Sequence, residues 1–176
     1  LIARPILSSN DTLPQFEIVG IGHRASQGIK TGMVTELDAA ESSIRSAVEM
    51  AEQMAGENIS RVIVGLNIKR LFSRLVSNKI ELGGRQINDK DLKRVLDPIS
   101  LSEKISDDNE LVHAIPVGYA VDGTHGINDP RGMYGERLSV NLHLVSACSS
   151  PIKNMETVIN RCHLDVEKFV VSSLAA

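Results

Sequence analysis

The apolar positions of the first 66 residues predict a strand, a helix and a second strand. Residues 16–22 alternate well enough to predict the first strand. Apolar side chains then recur at helical spacing, which predicts a helix from Thr35, as its N-cap, to about Ala55, with Gly56 as its C-cap. Residues 59–66 are apolar enough for a buried strand. This order predicts a βαβ unit with a parallel pair of strands.

The pattern changes after residue 66, and residues 67–146 read as an inserted α+β piece. Residues 71–82 alternate weakly and predict a hairpin that turns near Asn78. Asn88 predicts the N-cap of a short helix. Residues 111–121 predict a long strand. The outer layer, by contrast, reads as one α/β unit that this insertion interrupts.

A loop from Asn128 to Leu138 leads into the last strand of the insertion. Its two glycines and one proline within six positions require a tight chain path. The loop carries no set of catalytic residues. After the alternating strand of residues 138–145, Pro151 predicts the first position of a helix. Residues 166–174 predict a closing strand, whereas residues 1–14 and 23–33 predict no regular element.

Composition and charge exclude several classes of function. The chain has 176 residues, a hydrophobic fraction of 42% and a charged fraction of 23%, all typical of a globular protein. Its formal net charge of −3 argues against nucleic acid as a partner. Aromatic residues make up only 3%, and Trp is absent, so platforms for stacking bases are not expected. No apolar run approaches the ~20 residues that span a bilayer.

The residues that most often carry chemistry are scattered. Cys148 and Cys162 do not have the spacing of metal ligands, and two thiols in a reducing compartment are favoured over a disulfide. His113 and His143 lie in predicted strands, where a structural role is favoured. We therefore expect neither catalytic residues nor a metal site.

Five segments, in their order along the chain, resemble motifs of the FtsA family, which consists of actin-like bacterial cell-division proteins. These are the segments Ile18–Gly22, Ser26–Gly32, Ala47–Gly56, Val112–Asp122 and Asn128–Leu138. With two further similar segments, His143–Val145 and Cys162–Val166, the resemblance extends over nearly the whole chain. The resemblance implies an α/β fold with an α+β insertion: a partial actin-like (ribonuclease H-like) subdomain 1A that carries an SHS2-type subdomain 1C.

The resemblance also implies a domain organisation. Residues 1–66 correspond to the first part of subdomain 1A, residues 67–146 to the inserted subdomain 1C, and residues 147–176 to the return into 1A. The phosphate-binding and adenosine-binding motifs of the family would lie outside these residues. We therefore expect a fragment that is not an enzyme by itself, while ATP and magnesium are implied for the full-length protein. Gly20 and Gly22 are expected to be fold glycines rather than part of a dinucleotide site.

The function implied by the resemblance is that of a division scaffold. Such a protein tethers the FtsZ ring to the membrane, polymerises with other FtsA molecules and recruits later division proteins such as FtsN through subdomain 1C. Contacts with FtsZ and with lipid would require parts that are missing here. The implied location is the cytoplasmic face of the membrane at the division site.

Three basic residues are the candidate site residues under this resemblance. Lys30 would lie in a loop that faces the nucleotide cleft, although an exposed lysine without a role is the simpler interpretation. Lys79, at the tip of the expected hairpin, and Arg137, at the start of the last 1C strand, would lie on the surface used for contacts between protomers or with partners. Ordinary surface charges are the alternative for both residues. The exposed edges of the 1C strands are a further candidate docking place, by strand addition.

Two departures from the family pattern stand out. Residues 67–70 replace a turn that contains glycine, and His163 stands where relatives carry glycine just past a helix. Two other interpretations remain: an actin-like ATPase of the pilus-assembly type with the same insertion, and an α+β binding domain unrelated to actin folds.

Overall fold

The computed structural model describes residues 1–6, 15–102 and 105–172, with the side chains of Pro98 and Ile99 outside the description. The chain divides into two compact units. Unit 1 comprises residues 1–68 and 150–176, and unit 2 comprises residues 69–149. The sequence analysis placed the corresponding limits at 66/67 and 146/147.

Ten strands and four helices follow one another along the described residues. In chain order they are β1 (Ile2–Ile6), β2 (Gln15–Gly20), β3 (Ile29–Lys30), β4 (Met33–Val34), α1 (Leu37–Ala55), β5 (Arg61–Leu66), β6 (Leu71–Glu81), α2 (Asp89–Val95), α3 (Pro98–Ser102), β7 (Asn109–Val121), β8 (Thr124–Ile127), β9 (Arg137–Cys148), α4 (Ser149–Arg161) and β10 (Asp165–Val171). None of the helices in this part of the chain is long and apolar enough to cross a membrane.

The described residues of unit 1 form three small sheets. Strand β5 pairs in parallel with β10, so its parallel partner is not the first predicted strand. That strand, β2, pairs instead with β1 in an antiparallel sheet, within a segment that predicted no element. Strands β3 and β4 form a short hairpin in the expected polar loop. These strands are only two to six residues long, which leaves too few positions for a periodic signal.

Helix α1 ends as predicted but begins differently. Its C-cap, Gly56, adopts the left-handed conformation with φ of 71°, and its N–H donates to the carbonyl of Glu52 at 2.8 Å. The N-cap is Glu36 and not Thr35, and no side chain caps this end. The amides of Thr35 and Glu36 both donate to the carbonyl of Gly28, at 2.7 and 3.1 Å. The carbonyl of Gly28, just before the β3–β4 hairpin, therefore fixes where α1 begins. A search for capping side chains in the sequence does not detect such a main-chain contact.

Helix α4 packs its apolar face into the core of unit 1. Ile152, Met155, Val158 and Ile159 recur at helical spacing and are buried. Pro151 is the third residue of the helix rather than the first. His163, just past the helix, adopts φ of 61°, the conformation in which glycine is preferred. The part of the predicted closing strand after residue 172 lies outside the described residues.

Unit 2 is a four-stranded antiparallel sheet in the order β6-β9-β7-β8. Helices α2 and α3 pack on it and close a hydrophobic core. Every second residue of β9 enters this core and is at most 1% exposed: Leu138, Val140, Leu142 and Leu144. Strand β9 occupies the middle of the sheet, which explains why its alternation was the clearest signal in the sequence.

The predicted hairpin of residues 71–82 is wrong, because β6 is a single strand of 11 residues that pairs with β9 along its whole length. Asn78 therefore does not form a turn. Its side-chain amide donates to the carbonyl of Val95 at 2.8 Å, which ties the strand to the end of α2. Asparagine is common in turns, but it serves equally well where a strand must hold a neighbouring helix.

Strand β7 contains a proline, Pro116, at a break in its pairing with β9. The register with β9 shifts between Pro116 and Gly118, as is typical where a residue without an N–H interrupts a ladder. A turn at Asp122 and Gly123, with φ of 48° and 84°, leads into strand β8. Pro98 is the first residue of α3.

Candidate interaction surface of unit 2

Main-chain hydrogen bonds join the loop of residues 130–136 to the segment of residues 82–87. The amide of Ile87 donates to the carbonyl of Met133 at 2.9 Å, and the amide of Gly132 donates back to Ile87 at 3.0 Å. The amide of Leu82 donates to the carbonyl of Glu136 at 2.7 Å. The two segments thus behave as one platform at one end of the sheet, with a defined conformation despite the absence of a long strand.

An ion pair fixes the side of this platform that faces α2. Arg85 donates from Nη1 and Nη2 to the two carboxylate oxygens of Asp91, at 2.7 and 2.5 Å. Asp91 is 2% exposed and also accepts from the amide of Asn88 at 3.1 Å. The side chain of Asn88 accepts in return from the amides of Lys90 and Asp91, which completes a capping box. The hydrogen bonds from Arg85 lower the pKa of Asp91 to about 2.

Gly135 lets the platform approach the β7–β8 turn. A Cβ atom at this position would lie 2.4 Å from Cγ1 of Val121 and 3.0 Å from Oδ2 of Asp122. The carboxylate of Asp122 accepts from the amides of Glu136 and Arg137, at 3.0 and 2.7 Å through Oδ1. Gly135 therefore has a packing reason, whereas Gly132 has ordinary space and adopts φ of 83°, the conformation that favours glycine.

The platform presents two large side chains to solvent. Tyr134 is 70% exposed and Met133 is 39% exposed. Beside them, Arg131 pairs with Asp89 at 2.7 Å and with Asp129 at 2.9 Å. An exposed Tyr on a rigid backbone, with Met beside it and charges around it, is typical of the centre of a protein–protein contact.

The structure brings Lys79 and Arg137 onto one face of the sheet. Arg137 lies opposite Glu81 in the register and donates from Nε to its Oε1 at 2.8 Å, while Lys79 lies opposite Ser139 two positions along. Both basic side chains are exposed. The sequence analysis placed Lys79 at the tip of a hairpin. That prediction is wrong, because β6 continues past Lys79 as a single strand. The two residues are diagonal neighbours across the β6–β9 strand pair.

Lys30 lies in unit 1, exposed on the short strand β3. The nearby Gly20 and Gly22 do not form a phosphate cradle. A Cβ atom at Gly20 would lie 2.3 Å from the carbonyl oxygen of Ala51, and at Gly22 1.7 Å from that of Ala47. The G-x-G pair is thus filled by helix α1, which confirms its interpretation as fold glycines.

Three of the side chains that most often carry chemistry have described surroundings: His143, Cys148 and Cys162. His143 Nε2 and Ser73 Oγ share a hydrogen bond across β6 and β9. Cys148 and Cys162 are both free thiols. Burial raises the pKa of the Cys162 thiol. Among the residues that the structure describes, no group of three or more His, Cys, Asp or Glu side chains could hold a metal ion.

The sequence reasoning missed most of the residues that shape this surface. Asn88 was identified as a cap, and the aspartate three positions later was a signal for a capping box. The partnership of Arg85 with Asp91 had no signal of its own, because six residues separate them across a turn and a helix start. Tyr134 was visible within the loop motif, but its exposure depends on the fold.

Comparison with known proteins identifies unit 2. Residues 69–146 match the family described as the SHS2 domain inserted in FTSA. The cell division protein FtsA of Agrobacterium fabrum is 41% identical over 162 residues, which cover 92% of this chain and 36% of that protein. The FtsA of Pseudomonas aeruginosa is 32% identical and is covered to 39%. The chain thus spans little more than a third of the length of these relatives.

A solved structure with a similar fold comes from the PilM-PilN type IV pilus biogenesis complex. It superposes with a TM-score of 0.58 over 98% of this chain and 44% of the other chain, at 14% sequence identity. At that identity the likeness concerns the fold alone.

Proposed function

The chain belongs to the FtsA family of cell-division proteins, and on that premise we propose that it is the protein-interaction and polymerisation module of a division scaffold. The match of residues 69–146 to the SHS2 domain inserted in FTSA is the observation that carries this proposal. A role in cell division follows from the family itself.

The family assignment decides between the interpretations left by the sequence. The predicted fold class, an actin-like α/β unit with an SHS2-type insertion, is confirmed. An α+β domain unrelated to actin folds is therefore the wrong interpretation. The pilus-assembly interpretation has only a 14% identical structural neighbour in its favour, whereas a FtsA relative reaches 41% identity. A pilus role is thus the weaker candidate.

We assign two kinds of contact to unit 2 in this proposal: contacts with a second FtsA molecule, and contacts with later division proteins such as FtsN. FtsZ, the membrane, ATP and magnesium are assigned to parts of the family's proteins that these 176 residues do not include. The whole protein would then act at the inner face of the cell membrane at the division site. The module itself acts by binding rather than by catalysis.

The geometry of unit 2 supports a binding role. The platform of residues 82–87 and 130–136 is held by main-chain bonds and by the buried carboxylate of Asp91. Covering the exposed Tyr134 requires little ordering of the main chain, because the backbone below it is already held by hydrogen bonds. Lys79 and Arg137, on the neighbouring face, can set the orientation and rate of association.

Binding to a synthetic peptide of the FtsN cytoplasmic tail tests the proposal. Fluorescence anisotropy would follow a labelled tail titrated with the wild-type chain and with Arg137→Glu. We expect saturable binding that the charge reversal weakens at least tenfold. Arg61→Glu is the matched control, because this residue is also exposed but lies in unit 1.

Sedimentation velocity on the same proteins reports self-association, which we expect Lys79→Glu to weaken. If the chain neither binds the tail nor self-associates at concentrations up to about 100 µM, a range that includes weak transient contacts, the module proposal is wrong. A parallel ATP titration checks the assignment of the nucleotide site, since tight ATP binding by this chain would contradict it.

A further inference from the structure

One long edge of the unit 2 sheet is left without a partner strand among the described residues. Strand β6 is the terminal strand in the order β6-β9-β7-β8, and it is 11 residues long. Its register with β9 runs through all of these residues without a shift. The opposite edge, β8, has only four residues. Proteins normally protect long edges with bulges, prolines or short strands, because unpaired N–H and C=O groups recruit other strands.

The side chains of β6 are also unusual for an edge that faces only water. Leu75 is 72% exposed and Phe72 is 48% exposed, and their odd and even positions place them on opposite faces of the strand. In the register, Leu75 lies opposite His143 on its one paired side. A strand added on the other side would place a side chain next to each of these two apolar residues.

The charge along this edge is strongly one-sided. Four basic residues lie on or directly before β6: Lys69, Arg70, Arg74 and Lys79. The one acidic residue of the strand, Glu81, is already engaged by Arg137 at 2.8 Å. A second copy of this strand would bring like charges together, whereas an acidic segment would gain opposite charges across the pair.

We propose that the free edge of β6 binds an extended acidic segment of a partner protein by strand addition. The main chain of the segment pairs with the outer edge of β6, its apolar side chains cover Leu75 and Phe72, and its carboxylates lie against the basic side chains. This inference rests on the binding role proposed above and adds to it a place and a partner chemistry. It is separate from the platform of residues 82–87 and 130–136.

A synthetic peptide of about ten residues that repeats Val-Val-Glu-Glu, so that each face of the added strand carries both Val and Glu, is the direct probe. Three comparison titrations use the same peptide with Lys for Glu, the same peptide with two Val replaced by Pro, and a chain carrying Arg70→Glu and Lys79→Glu. We expect binding of the Val-Glu peptide, at least tenfold weaker binding in each comparison, and a decrease with salt. Lys90→Glu with Lys93→Glu, on exposed positions of α2, is the control with the same charge change and should bind normally.

Amide hydrogen exchange separates strand addition from electrostatic adhesion. Strand addition slows exchange at alternate amides of β6 when the peptide is bound. Binding that leaves these amides unchanged, or equal binding of the Lys peptide, overturns the inference. If the outer amides of β6 already exchange slowly without peptide, and the chain sediments as a dimer, a second copy of the chain occupies this edge and the inference is wrong. Binding of the FtsN tail that depends on Arg137 can succeed or fail independently, so the two proposals are tested separately.

Discussion

The guanidinium of Arg85 holds both carboxylate oxygens of Asp91 although Asp91 is 2% exposed and Arg85 lies at the surface. Water therefore reaches one partner but not the other. The buried carboxylate also serves the start of helix α2, where its acceptor atom faces the amide of Asn88. One side chain thus couples the beginning of a helix to the loop that carries the candidate interaction surface.

Removal of this carboxylate should destabilise unit 2. In Asp91→Ala, Arg85 and the amide of Asn88 lose their acceptor, and we expect the free energy of unfolding to fall by about 2–4 kcal/mol. Urea denaturation followed by circular dichroism measures the loss. Asp89→Ala is the matched control, because Asp89 is two positions away but exposed, and its pair with Arg131 should contribute little. Equal losses in the two variants would contradict the role given to Asp91.

The same pair predicts a dependence of stability on acid. The pKa of Asp91 is lowered to about 2 from its ordinary 3.8, chiefly by the hydrogen bonds from Arg85. The unfolded chain therefore binds this proton more readily, and the contribution, about 2 kcal/mol, is fully present above about pH 5 and disappears as pH falls towards 2. Urea unfolding of wild type and Asp91→Asn at several pH values measures it. The difference between the two proteins should shrink as pH falls, and a constant difference would contradict the assignment.

Gly22 should not tolerate a side chain. A Cβ atom would meet the carbonyl oxygen of Ala47 at 1.7 Å, a backbone atom that cannot move without displacing helix α1. We expect Gly22→Ala to lower the free energy of unfolding by more than about 2 kcal/mol. Gly65→Ala is the control, because its Cβ would meet only Ser172 Oγ at an ordinary 3.6 Å. A wild-type melting temperature for Gly22→Ala would mean that β2 and α1 do not approach as closely as described.

Replacement of His163 by glycine should stabilise the protein. Its φ of 61° is unfavourable for a side chain with a Cβ atom, and the imidazole is exposed. His163→Gly keeps the amide that donates to Asn160 at 3.0 Å and removes the strain, so we expect a gain of about 0.5–1 kcal/mol. Thermal melts of this variant and of His163→Ala measure it. The alanine variant should show no gain, because it retains the Cβ atom.

Local signals in the sequence identified several places where a helix or strand begins or ends. Gly56 marked the end of α1, Asn88 the start of α2, and the alternation after Leu138 marked β9. Each of these features depends on neighbours in the sequence, since a cap or a strand face involves residues at most four positions apart. The short strands β1, β3, β4 and β8 were too brief for such a signal.

The candidate surface was predictable only in part. Its loop was recognisable from the residues between Asn128 and Leu138, and Arg137 and Lys79 were named as candidates for a contact with a partner or a second protomer. The sequence did not predict that Lys79 and Arg137 lie close together on one face, because the expected turn near Asn78 placed Lys79 at a hairpin tip. The exposure of Tyr134 and Leu75 also depends on which strands lie beside them, and a periodic pattern does not contain that information.

The amino-acid sequence by itself determined the family, the order of the longer elements and the positions where glycine or a capping side chain is needed, because these are properties of short segments. Only the tertiary structure decided that β5 pairs with β10, that β6 runs unbroken along β9, and that Arg85 closes on Asp91. Strand pairing and ion pairs join residues that are distant in the chain. Which of the many possible partners is chosen depends on how all the apolar faces are buried together.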